Sequence, residues 1–229
     1  MGKSTIGTLN EKPLHEALKQ WYASPEDSFE VQVDGFVIDI VRGDLLIEIQ
    51  TRNFSAIKRK LEKLIVNHSV RLVYPIPREK WIVKLAEDGS APISRRKSPK
   101  RGAYNHIFEE LVRLPELLKD PNFSIELLLI DEEEVRRYDG VRGWRRKGWV
   151  TDERRLLQVV DRRILNSPED MKSFIPEYLT GTFSVNDLAA AASISRRLAR
   201  KTLYCLRKMG CVIPAGKRAN AILYTLSTT

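Results

Sequence analysis

The run FVIDIVRGDLLIEIQT at residues 36–51 decides the fold. Strand alternation puts Phe36, Ile38 and Ile40 on one face and Val37, Asp39 and Val41 on the other. After a turn, Leu45, Ile47 and Ile49 oppose Leu46, Glu48 and Gln50 in the same way. Gly43-Asp44 is a two-residue hairpin signal of the glycine-first kind. With those two residues as the loop, Arg42 pairs with Leu45, and counting back sets Asp39 opposite Glu48. Like charges directly opposite destabilise an antiparallel pair, and two such carboxylates cannot both stay ionised without help. A divalent cation supplies that help, and paired carboxylate oxygens suit magnesium or manganese. The alternative is a register one residue away, with a solvent-facing polar pair on a hairpin.

On the N-terminal side, residues 13–23 have the spacing of a helix, with Leu14, Leu18 and Trp21 on one stripe, Pro13 in its first turn and Glu16 near the stripe. Residues 29–34 alternate as a strand. On the C-terminal side, Ser55 is placed to cap a helix whose Ile57, Leu61, Leu64 and Ile65 follow the helical period. A strand at 70–76 follows, with Pro75 and Pro77 expected to stop it. The order is helix, three strands, helix, strand.

Asp39 followed by Glu48-Ile49-Gln50, in that order of elements, resembles the PD-(D/E)xK nuclease superfamily, which carries an acid on one strand and acid-x-lysine on the next. Ile38 stands where the motif's name has proline, and Gln50 where it has lysine. The resemblance implies an α/β, restriction-endonuclease-like mixed sheet flanked by helices. It implies a catalytic set of Glu16, Asp39, Glu48 and Gln50, with Asp39, Glu48 and Glu16 as ligands of Mg2+ or Mn2+. Gln50 can orient a water but carries no charge. Lys58 or Lys60 on the following helix could supply the cation from a displaced position, and each also reads as a solvated lysine.

The chain of 229 residues has a net charge of +9, with 42% hydrophobic and 30% charged residues, as in an ordinary globular protein with a polyanionic partner. No apolar run reaches membrane length and the first residues lack an apolar signal segment, so a cytoplasmic protein without membrane association is expected. Two cysteines, Cys205 and Cys211, exclude a disulfide framework and a four-cysteine zinc site. His15, His68 and His106 show no ligand spacing.

Residues 81–85 read as a further strand and 88–90 as a turn. The stretch 94–102 holds Arg95, Arg96, Lys97, Lys100 and Arg101 and no acid, a solvated loop or a phosphate contact. A helix is expected at 104–118, interrupted near Pro115, and a mostly apolar central strand at 124–131. Residues 131–134 are acidic enough to resemble a metal cluster, but fit a loop and helix start better. Residues 143–149 interleave Trp144 and Trp149 with Arg145, Arg146 and Lys147, which suits either nucleic-acid stacking or tryptophans packed inward under solvated cations. A strand is expected at 156–160 and a short helix from Ser167, with a domain boundary at 166–176.

Residues 177–229 carry eight Lys and Arg against two acids, a net charge of +6. Ser184, with Asp187 three residues on, opens one helix as a capping box. Residues 196–209 form a second, with Arg196, Arg197, Arg200 and Lys201 in its first turns. Gly210 ends it, and two short strands around Lys217 and Arg218 follow. This resembles the winged helix-turn-helix family, whose second helix enters the major groove while the wing touches the backbone.

The expected protein therefore has a nuclease-like domain at 1–166 and a winged-helix DNA-binding domain at 167–229. Its expected activity is metal-dependent hydrolysis of DNA phosphodiesters on a duplex or branched substrate, with a homodimer the simplest route to cutting both strands. The alternative is a catalytically degenerate DNA-binding protein or regulator that keeps the nuclease fold. An RNA-processing nuclease also fits, because phosphate contacts do not distinguish sugars.

Overall fold

The computed structural model describes residues 12–89, 91–142 and 144–227. Ser90 of the expected turn and Gly143 of the basic aromatic stretch lie outside the described residues. In chain order come α1 (Lys12–Tyr22), β1 (Ser28–Val33), β2 (Phe36–Arg42), β3 (Leu45–Ile49), α2 (Phe54–Leu64), β4 (Ser69–Leu85), β5 (Pro92–Lys97), α3 (Phe108–Leu111), β6 (Phe123–Tyr138) and β7 (Trp149–Leu165). Then follow α4 (Pro168–Lys172), α5 (Val185–Ala191), α6 (Arg196–Met209), β8 (Val212–Arg218) and β9 (Ala221–Leu226). The class is α/β, with a large mixed sheet ordered β1-β2-β3-β4-β6-β7, β5 pairing with β4, and a separate β8-β9 pair. Two compact units divide the chain, one of residues 12–27, 75–103 and 128–162, the other of residues 28–74, 104–127 and 163–227. No helix among the described residues is long and apolar enough to cross a membrane.

In the second unit the hairpin has the register counted from its turn: Arg42 pairs with Leu45, Val41 with Leu46 and Ile40 with Ile47. Gly43, at φ 54°, takes the left-handed position that the glycine-first turn requires. β3 then runs parallel to β4, from Leu45 opposite Ser69 to Ile49 opposite Val73. Parallel neighbours need a crossover, and α2 makes it, burying Phe54, Leu61 and Leu64. Ser55 does not cap that helix. Asn53 does, in the left-handed conformation at φ 57° and without a side-chain cap. The orphan N–H of Phe54 donates instead to Glu110 Oε2 at 3.1 Å.

The helix expected at 104–118 is three short pieces, a 3-10 turn at Tyr104–Ile107, the single turn of α3 and a second 3-10 turn at Leu117–Lys119. Proline lacks the N–H that a continuous helix needs, so Pro115 breaks the run. Ile107, Phe108, Leu111 and Leu114 are nevertheless buried as their spacing requires.

The C-terminal segment of the same unit opens α5 with the expected capping box, Ser184 accepting from Asp187 N and Asp187 from Ser184 N. Ser195 caps α6 and Gly210, at φ 84°, ends it. Leu198, Thr202, Cys205, Leu206 and Met209 face inward. α6 packs on α3, α4 and α5, and Phe183 bridges to Tyr224 of β9. Burial raises the thiols of Cys205 and Cys211 to about 12 and about 11, so neither is a reactive thiolate.

In the first unit, three expectations are corrected. β4 runs through Pro75 and Pro77 instead of stopping there. Its ladder with β3 ends at Val73 and its ladder with β5 starts at Trp81. The prolines fall between the two, where a missing N–H costs neither ladder a bond. Residues 131–134 are not a loop and helix start but the middle of β6, and Asp131, Glu132 and Glu134 are buried. The basic stretch 94–102 likewise begins as β5 before it becomes a loop.

Candidate functional site

The hairpin register places Asp39 opposite Glu48, one step beyond the Ile40–Ile47 pair. Asp39 Oδ2 accepts from Ile49 N at 2.8 Å, which fastens this carboxylate to β3. Glu48 is only 5% exposed, because β3 lies inside the sheet between β2 and β4 and α2 reaches over it. From that helix Lys60 Nζ pairs with Glu48 Oε1 and donates to Val37 O at 2.5 Å. The ammonium meets Oε1 as an ion pair, and no aligned hydrogen-bond donor reaches that oxygen among the described residues. Burial above all, and then the charge of Asp39, push the Glu48 carboxyl up from 4.5 to about 7 against the pull of Lys60.

This arrangement fits a divalent cation. Two carboxylates share one sheet face, one of them buried and reluctant to ionise, and oxygen donors of this kind suit Mg2+ or Mn2+. The described residues hold no cluster of three or more His, Cys, Asp or Glu able to bind a metal, so the fit rests on the pair.

A pH dependence follows. The folded Glu48 carboxyl titrates near 7, above its unfolded value, so the folded state binds the extra proton. Its contribution to stability is complete below pH 4.5 and lost as pH rises through 7, a cost of roughly 3 kcal/mol at pH 8. Denaturant melts should show Glu48→Gln gaining stability over wild type at pH 8 and little at pH 5, and Mn2+ protecting wild type more at pH 8. Equal gains at both pH values would mean that Glu48 is not the titrating group.

The other expected site residues are distributed as follows. Gln50 Nε2 donates to Arg52 O at 2.5 Å and reaches Asn53 O at 3.5 Å, holding the turn into α2. Lys58 pairs on the surface with Glu62 at 3.6 Å. Glu16, on α1 of the first unit, is half exposed and pairs with Lys19 at 3.1 Å. Within the second unit, therefore, Asp39, Glu48 and Lys60 come together. A signal for Lys60 is in the sequence: it precedes buried Leu64 by four residues, at the edge of the apolar stripe of α2.

Many of the cations expected to meet phosphate are neutralised within the chain. Arg95 pairs with Glu133 at 2.6 Å, and Lys97 and Arg101 with Glu79 at 2.7 and 3.2 Å. Arg197 pairs with Glu109 at 3.3 Å and Lys201 meets the same carboxylate, while Arg218 holds Asp187 at 2.7 Å. Exposed Arg96, Lys100, Arg145, Lys147, Arg196, Arg200 and Lys217 have no ion pair among the described residues. Arg146 contacts Glu134 at 3.5 Å and Thr151 at 2.9 Å. Trp144 is 79% exposed, whereas Trp149 is half-buried against Tyr138, at 5.7 Å between rings.

The buried acids of β6, unforeseen as such, are each matched by a cation. Arg78 holds Asp131 through two hydrogen bonds, of 3.0 and 2.7 Å. Lys80 lies 2.8 Å from Glu132 and 2.9 Å from Glu134, and Arg154 takes the other Glu132 oxygen at 2.6 Å. Burial opposes ionisation of Glu134, yet Lys80 and Arg136 hold its carboxyl well below the usual range. These acids are committed to ion pairs.

Comparison with known proteins adds two matches. A family model described as a domain of unknown function, DUF8091, matches residues 12–166. A protein of Treponema pallidum (strain Nichols), described as "Uncharacterized protein", is 32% identical over 221 residues, 96% of this chain and 87% of that protein. No solved structure matches.

Proposed function

The chain belongs to the DUF8091 family, and from its candidate site we propose that it is a divalent-metal-dependent DNA endonuclease of the PD-(D/E)xK kind, with a C-terminal winged helix for duplex binding. The observation that carries this reading is the facing pair of half-buried Asp39 and buried Glu48, with Lys60 against Glu48. Asp39 and Glu48 hold Mg2+ or Mn2+ as its two anionic ligands. Bound metal supplies a water of lowered pKa and charge stabilisation at the phosphate. Lys60 supplies the positive charge that Gln50 lacks, and Gln50 shapes the turn that starts α2.

In this reading residues 1–166 form the nuclease domain and 167–229 the winged helix. α6 presents Arg196, Arg200, Tyr204 and Arg207 on successive exposed turns, a stripe suited to a groove and its phosphates. Lys217 on β8 is the matching wing contact. Replacing Arg196 and Arg200 by alanine should lower the slope of duplex affinity against salt by about 2, close to 0.9 per phosphate contact. Arg197→Ala should change it less, because Glu109 already neutralises that guanidinium. Titration of a labelled duplex at several salt concentrations checks this, and an unchanged slope in the double variant would move duplex binding away from α6.

One observation favours the second reading, a degenerate nuclease fold that only binds DNA: the Gln50 amide is occupied by the Arg52 and Asn53 carbonyls. Nicking of supercoiled plasmid with Mg2+ or Mn2+, and its loss with EDTA, separates the two. A wild-type protein that binds duplex and cuts with neither metal belongs to the second reading.

A further inference from the structure

In the first unit a cleft of about 360 Å³ is lined by Lys84, Arg96, Arg136, Arg145, Arg146 and Lys147 around Trp149, with no acid in its lining. Arg136 and Arg146 reach Glu134 behind it, at 2.6 and 3.5 Å. No ion pair joins an acid to Lys84, Arg96, Arg145 or Lys147 among the described residues. Four uncompensated cations converging on one concavity repel one another, and an anion offsets that repulsion.

The cleft is also built around aromatic rings. Lys84 Nζ lies 4.2 Å from the Trp149 ring centre, and Tyr138 meets the same ring edge-on. Gly148, at φ 84°, closes beside that stack, where a Cβ would come within 2.6 Å of Tyr138 Cε2. Trp144, next in the chain to Arg145 of the lining, is 79% exposed, with Arg145 5.0 Å from its ring centre.

We infer that this cleft binds single-stranded nucleic acid, its cations taking the phosphates and Trp144 stacking on a base. This rests on the nucleic-acid reading above and deepens it, naming a duplex with a single-stranded segment as the substrate class. Size and shape favour a strand. The volume is at the small end of ligand pockets and admits a nucleotide phosphate, whereas the stacked pairs of a duplex cannot enter it. A flat anionic membrane would leave the recessed Lys84 and Arg136 unused. Cationic grooves with exposed aromatics are the usual means of holding single strands without reading their sequence.

The test uses full-length protein carrying Glu48→Gln, so that nothing is cut, in EDTA, with fluorescein-labelled oligothymidylate and a separate duplex read by anisotropy. Adding Arg96→Ala, Arg145→Ala and Lys147→Ala together should weaken oligothymidylate binding at least about tenfold and lower its salt slope by about 2. Duplex affinity should stay within about threefold. Trp144→Ala, at an exposed position that packing does not need, should weaken the oligothymidylate alone by about five- to tenfold. Unchanged oligothymidylate binding in both variants overturns the assignment while leaving the duplex reading standing. Failure to bind either nucleic acid overturns both. Binding to phosphatidylserine vesicles that Trp144→Ala abolishes, without oligothymidylate binding, replaces the strand by a membrane surface.

Discussion

Glu48→Gln and Asp39→Asn should each reduce metal-dependent nicking of supercoiled plasmid by about three orders of magnitude while leaving duplex affinity within about twofold. A metal site supplies several kcal/mol of transition-state stabilisation, and each 1.4 kcal/mol is a factor of ten in rate. Losing one of two anionic ligands removes most of it. The amides are the right probes because each residue has a structural duty besides. Asp39 Oδ2 accepts from Ile49 N, a bond that Asp39→Asn keeps through the carbonyl oxygen of its amide and that Asp39→Ala would forfeit at about 1 kcal/mol. Glu48 is buried against Lys60, and glutamine preserves its volume while ending the like-charge conflict with Asp39. Glu48→Gln should thus be the more stable protein at pH 8 and the catalytically silent one. A variant that is stabilised and still cuts at the wild-type rate would remove the carboxylate pair from catalysis.

The hairpin was legible because its register depends on a two-residue turn. Once Gly43-Asp44 is the loop, alternation leaves no freedom in what faces what. The caps at Ser184 and Ser195 and the stop at Gly210 were legible for a similar reason, since each is a local rule. What the sequence concealed depends on partners far along the chain. Nothing near 131–134 indicates that Arg78, Lys80 and Arg154 will arrive to neutralise three buried acids. Local propensity therefore favoured a loop and helix start. Pro75 and Pro77 read as a stop because proline removes a ladder bond, and only the ends of the β3 and β5 ladders show that no such bond was required. The basic stretches misled in the opposite direction. Arg95, Lys97, Arg101, Arg197 and Arg218 count toward net charge, yet each is matched by an internal acid.

Lys60 is where the catalytic reading is most exposed to experiment. Lys60→Ala should slow nicking by about a hundredfold or more, and the loss should deepen below pH 8. The ammonium is the main group pulling the Glu48 carboxyl down against burial and the charge of Asp39, ahead of a backbone hydrogen bond from Asp39, so its removal raises that carboxyl further. The acid limb of the pH–rate profile should move to higher pH with it. Lys58→Ala, which breaks only a surface pair with Glu62, should leave rate and profile unchanged. Gln50→Ala should act mainly on stability, by about 1 kcal/mol, because its amide serves the Arg52 and Asn53 carbonyls. Gln50→Lys should keep cutting, with two cations beside one carboxylate pair and an acid limb shifted to lower pH. The opposite pattern, Lys60→Ala at full rate and Gln50→Ala silent at unchanged stability, would return the water-positioning role to Gln50. Lys60 would then be a counter-ion that protects Glu48 until metal displaces it.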